Sequence, residues 1–310
     1  MKKPVFLCRL VVLATCVLLL GSSMLSLGSI PRVHGADSQS TANATWLWNT
    51  KLIETSSDEL IQFMNSQHVD TIFLQISSSV SKSSYSSFIR SATEHQIQVY
   101  ALNGAPDWAK ESSLSKLNSF MNWIRDYQNS VQGNEKFSGI SVDIEPYLLK
   151  EWTSNWTALV TEWQSNVTYL AQRAEEINLP LNAALPFWLD KYKAPGENVS
   201  LSYWMISKFD SVSLMTYRDT ATAIYELGKI ELSEAALLNK KVYLSVETKA
   251  SNEGNFVTFY EEGAAYMGTE LQSVRSKALV HSSFAGIAVH DIAGWMNMEI
   301  NTDNLRTLLQ

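Results

Sequence analysis

From Thr45 onward, short β-branched or aromatic runs alternate with stretches of helical spacing. The runs are Thr45–Trp48, Asp70–Ile76, Gln98–Leu102, Gly139–Glu145, Leu181–Pro186, Ser211–Tyr217, Lys241–Glu247 and Gly286–His290. Each has the length and composition of a strand. The clearest helical face carries Trp152, Trp156, Leu159, Trp163 and Val167, spaced by three or four residues. Further helical segments are expected near Ser57–Gln67, Ser84–His95, Ser113–Asn129, Ala221–Asn239 and Val257–Lys277, with Ser77–Ser87 as a loop. Eightfold alternation of strand and helix predicts one α/β domain, a single (β/α)8 barrel spanning residues 37–310. No linker or low-complexity stretch divides it.

The preceding residues follow another pattern. Lys2 and Lys3 lead into an apolar run from Leu10 to Leu20, and Gly35-Ala36 supplies small residues for cleavage. Residues 1–36 therefore predict a secretory signal and an extracellular product. The run is shorter than the roughly 20 residues a spanning helix needs, so no membrane association is expected after cleavage. Cys8 and Cys16 both lie in this segment, which leaves the mature chain to hold together by its core alone. With 45% hydrophobic residues and ten Trp, that core can be large. A net charge of −7 disfavours a nucleic-acid partner. Nothing predicts a cofactor, and the few His and Cys form no spaced zinc set. The expected state is a monomer.

The densest chemistry lies in Ser138-Gly139-Ile140-Ser141-Val142-Asp143-Ile144-Glu145-Pro146. Side chains two apart on a strand share a face, so Asp143 and Glu145 point the same way, their Cα atoms roughly 6.6 Å apart. Two such carboxylates are costly together unless one holds a proton or both find partners. A helix cap or a surface ion pair would be the structural alternative. In a barrel, functional residues collect at the C-terminal ends of strands. Those positions hold Trp46 and Trp48, Asp107 and Trp108, Asp143, Glu145 and Tyr147, Trp188, Tyr217, Arg218 and Asp219, Glu247, and finally His290, Asp291 and Trp295. Aromatic faces and carboxylates in one ring suit an oligo- or polysaccharide.

The chain here resembles the family 18 glycoside hydrolases, the chitinases and endo-β-N-acetylglucosaminidases with their non-catalytic relatives. The fourth-strand pattern of that family, D-G-x-D-x-D-x-E, lies over Ser138 to Glu145. Its Met-x-Tyr sixth strand is matched by Met215-Thr216-Tyr217, with Arg218 inserted before Asp219. A Trp near the eighth strand floors the site in the family, and Trp295 is the candidate. The resemblance implies that Glu145 is the general acid/base. It also implies that Asp143 assists the substrate's own acetamide nucleophile and that Tyr217 donates to the acetamide oxygen. The first two acids of the pattern are replaced by Ser138 and Ser141, and the Ser141 hydroxyl is expected to bond Asp143.

Two other functions fit the residues. Glu145 at strand four and Glu247 at strand seven match the acid/base and nucleophile of a covalent retaining glycosidase. A non-catalytic carbohydrate-binding barrel would result if Arg218 or Lys249 locked Glu145. Glu247 itself is open to a salt bridge with either cation.

Overall fold

The computed structural model describes residues 42–299. The predicted signal segment lies outside them. The strands are β1 (Ala42–Leu47), β2 (Thr71–Gln75), β3 (Gln98–Asn103), β4 (Gly139–Asp143), β5 (Leu181–Pro186), β6 (Ser211–Met215), β7 (Lys241–Glu247) and β8 (Phe284–His290). They close in sequence order into a parallel barrel, β1 pairing with both β2 and β8. The helices are α1 (Leu52–Thr55), α2 (Ser57–Ser66), α3 (Lys82–Glu94), α4 (Leu114–Gln128), α5 (Glu151–Ser154), α6 (Trp156–Glu176), α7 (Leu201–Lys208), α8 (Ala221–Leu237) and α9 (Gly263–Ala278). Residues 292–299 are helical after β8. No helix among the described residues is long and apolar enough to cross a membrane.

Two cores hold the barrel. The larger lies between strands and helices and takes in Leu47, Ile72, Leu74, Val99, Ile140, Val142, Leu214, Leu244 and Val289. The smaller joins Ala44, Trp46, Phe73, Leu102 and Ala288, with Tyr100 and Tyr243 packed on it. Strand alternation assigns the second set to the barrel interior, because Ala44 and Trp46 are two apart and Trp46 pairs across to Phe73. The same parity puts Trp48, Asp143, Glu247 and His290 at the top of that interior. Its middle also holds buried hydroxyl and amide groups. Ser141 donates to Asn182 Oδ1 at 3.0 Å, and Asn182 Nδ2 donates to Ser211 Oγ at 3.0 Å.

Several expected boundaries move for local reasons. β4 stops at Asp143, and Glu145 (φ −114°, ψ 68°) turns the chain into a 3-10 helix at Pro146–Leu148. Pro146 has no N–H to extend the ladder. The serine-rich loop is shorter than predicted, since Ser81 accepts the backbone N–H of Ser84 and caps α3. The last long helix starts at Gly263, six residues beyond the expected Val257. Gly254 and Gly263 adopt positive φ, 123° and 82°, and between them the chain makes only a short 3-10 turn at Asn255–Val257 before α9 begins. α7 carries no clear periodic face, and the pattern did not reveal it.

Candidate active site

Glu145, Tyr147, Trp188, Tyr217, Arg218 and Glu247 line a groove of about 630 Å³ at the C-terminal mouth. A neighbouring cavity of about 660 Å³, bounded by Thr248, Tyr260, Gly263 and Met298, contains neither β4 carboxylate. The chemistry therefore belongs to the first.

Asp143 ends β4 two residues before Glu145 and is not itself among the groove-lining residues. Its Oδ1 is shut off from solvent and has no hydrogen-bond partner. Burial, and then the charge of Glu145, push its carboxyl up to about 7. The expected Ser141 contact is absent because that hydroxyl turns sideways to Asn182, which the strand register sets directly opposite. Glu145 accepts a short hydrogen bond from the Tyr147 hydroxyl. It caps no helix through its side chain. Burial and Glu145 hold the Tyr147 phenol far above its ordinary range. Burial likewise raises Tyr217, reinforced by Glu247, Asp143, Glu145 and Asp291. Both phenols thus remain O–H donors at any working pH.

Glu247 is held by neither Arg218 nor the Lys249 ammonium. Its Oε1 accepts the backbone N–H groups of Thr248 (2.8 Å) and Lys249 (2.9 Å). Its Oε2 lies 2.8 Å from His290 Nδ1, and Trp48 Nε1 donates to His290 Nε2 at 2.9 Å. An indole N–H can only donate, so His290 Nε2 must accept. The imidazole proton then lies on Nδ1 and is donated to Glu247, which fixes the tautomer. Trp48, His290 and Glu247 form a line from β1 through β8 to β7. Spacing along the sequence gave no sign of this line.

Arg218 donates from Nη1 to the Tyr217 carbonyl at 2.6 Å, its guanidinium 5.6 Å from the Phe187 ring and 5.2 Å from Phe256. Lys249 pairs with Asp291 at 2.6 Å. Neither cation locks Glu145. Trp188 lines the groove and meets Tyr147 edge-on at 5.1 Å.

Six expected binding residues lie elsewhere. Trp46 is buried inside the barrel against Phe73, one strand position pair below the mouth. Trp108 is buried against Phe120. Trp295 is buried edge-on to Phe63, so it cannot floor the groove. Asp107 pairs with Lys116 and accepts from Ser113. Asp219 lies outside the groove lining, its backbone N–H bonded to Phe256. Asp291 is buried and serves Lys249 and the Gly294 N–H. Gly104 is a positioning residue that sequence reasoning missed. A Cβ there would lie 1.9 Å from the Asp143 carbonyl oxygen, so only glycine lets β3 pass that close to the end of β4.

Neither a family model nor a curated protein matches the sequence. Solved structures do match in shape. A family 18 chitinase from Pseudoalteromonas aurantia superposes with a TM-score of 0.55 at 13% identity, over 81% of this chain and 94% of that one. A chitinase from Chromobacterium violaceum gives 0.52 at 12%, over 84% and 98%. The spore cortex-lytic enzyme SleL of Bacillus megaterium gives 0.52 at 10%, over 84% and 73%. At these identities the likeness is one of fold, the family 18-like (β/α)8 barrel.

Proposed function

We infer that this chain is an exported glycoside hydrolase acting on a β-linked, N-acetylated glycan by substrate assistance. The observation that carries the reading is the β4 pair. Asp143 has an unsatisfied, buried oxygen and a carboxyl raised to about 7, coupled to the charge of Glu145, which lines the open groove. In the proposed reaction Glu145 gives its proton to the glycosidic oxygen as the bond to the anomeric carbon breaks. The acetamide oxygen of the same sugar attacks that carbon, while Asp143 accepts the acetamide N–H. Glu145 then takes a proton from water, which opens the cyclic intermediate with net retention. Tyr217, kept protonated, supplies a donor to the acetamide oxygen. Freedom of Glu145 from Arg218 and Lys249 supports catalysis over mere binding. The groups invoked all come from one chain, so a monomer suffices. Export rests on the N-terminal sequence pattern alone.

The test is hydrolysis of chito-oligosaccharides and peptidoglycan-type glycans by the purified protein, with the product anomer followed by NMR. Glu145→Gln is expected to cost about 10²–10⁴ in turnover with the fold intact, the usual worth of a general acid. Wild-type rates in that variant, or inversion at the anomeric carbon, would overturn the reading.

A further inference from the structure

The geometry points to Arg218 as the recognition group for a carboxylate carried by the glycan, which narrows the substrate class to acidic N-acetylated sugars. This rests on the glycosidase reading of the groove. Arg218 and Lys249 are the cations among the groove-lining residues. The ammonium of Lys249 is already committed to Asp291. Arg218 has no carboxylate at ion-pair distance among the described residues, although it stands in a groove with Glu145, Glu247 and Glu253.

A guanidinium always carries its charge and presents five N–H donors in a planar fork. One of these is used on the Tyr217 carbonyl. Phe187 and Phe256 flank the group within cation–π distance, so its position is fixed without neutralising it. A fixed, unpaired guanidinium matches the two oxygens of a carboxylate. The groove's own carboxylates cannot attract an anion, so an acidic sugar gains only by reaching Arg218. Two sources share the required chemistry: the lactyl ether of a muramic-type sugar, and the ring carboxylate of a uronic acid.

The experiment titrates three disaccharides into the Glu145→Gln protein, whose turnover is slowed about 10²–10⁴-fold so that binding can be read. One is neutral (two N-acetylglucosamines), one carries a muramic-type lactyl group, and one pairs a uronic acid with N-acetylglucosamine. At least one acidic ligand is expected to bind about tenfold more tightly than the neutral one, the worth of one charge-assisted contact partly exposed to water. That ratio should collapse toward one in Glu145→Gln/Arg218→Met, and it should shrink with added salt. The acidic ligand that shows the ratio identifies the source. Arg218→Gln replaces the Met variant if the latter fails to fold, as judged by its melting temperature. An unchanged ratio in the substituted protein, or preference for the neutral sugar throughout, overturns the inference. Hydrolysis of the neutral substrate by wild type, without acidic preference, would sink this inference alone. Acidic preference without hydrolysis of any of the three would sink the catalytic reading alone.

Discussion

Replacing Asp143 by Asn should remove activity and at the same time stabilise the protein, by an amount that grows with pH. The folded carboxyl titrates at about 7, against an ordinary 3.8. A raised value means the folded state holds the proton more tightly than the unfolded chain. Stability is therefore greatest in acid and is lost as pH rises from about 4 to 7. Each pH unit between the two values is worth about 1.4 kcal/mol. At pH 5, where the folded group still holds its proton, it costs the fold about 1.6 kcal/mol relative to acid, and at pH 8, where it is ionised, about 4 kcal/mol, both as upper limits. Asparagine does not titrate, so the stability difference between variant and wild type should widen by about 2–3 kcal/mol from pH 5 to pH 8. Urea unfolding of both proteins at the two pH values measures this directly, and titrating groups not coupled to Asp143 cancel in the comparison. Adding Glu145→Gln should recover only the smaller share, because burial is the larger cause of the raised value. A pH-independent difference would refute the assignment of Asp143 as a buried, unpartnered acid.

Glu247→Gln should be mild beside Glu145→Gln, falling well short of the 10²–10⁴ range, because Glu247 is committed to His290 and two backbone donors. Abolished turnover that azide restores as a glycosyl azide would move the nucleophile to Glu247. Glu231 is buried on α8 with both oxygens unpartnered, and burial pushes its carboxyl up to about 8. Stability attached to it is lost as pH rises from about 4.5 to 8, so Glu231→Gln should flatten that slope by a few kcal/mol in urea titrations, without changing turnover. Gly104→Ala drives a methyl group into the Asp143 carbonyl. It should cost about 1–3 kcal/mol in unfolding and lower turnover, and wild-type values for both would show that the approach of β3 to β4 is not tight.

The barrel was legible because its strands are buried on both faces. Runs such as Ile72-Phe73-Leu74 and Val242-Tyr243-Leu244-Ser245-Val246 read as largely apolar segments whatever surrounds them. Strand alternation singled out Asp143 and Glu145 as a pair, although β4 itself stops at Asp143 and Glu145 lies in the turn beyond it. Tryptophan was not legible. Trp46 lies near the end of β1, and Trp108 and Trp295 follow strand ends just as Trp188 does, yet the first three fill cores, and composition carries no sign of which side of a wall a ring lies on. The acids Asp107 and Asp291 failed in the same way, because each found a lysine that proximity in sequence did not announce. What the sequence hides most completely is lateral contact across the barrel. Trp48 just past β1, His290 on β8 and Glu247 on β7 meet only when the sheet closes. Ser141 shows the chemical consequence. It shares a face with Asp143, and a bond between them was the natural expectation. Closure sets Asn182 beside it instead, and its amide oxygen takes the hydroxyl at 3.0 Å. Asp143 is thereby left with an oxygen that nothing in the protein satisfies, and a substrate amide N–H is the kind of group that would.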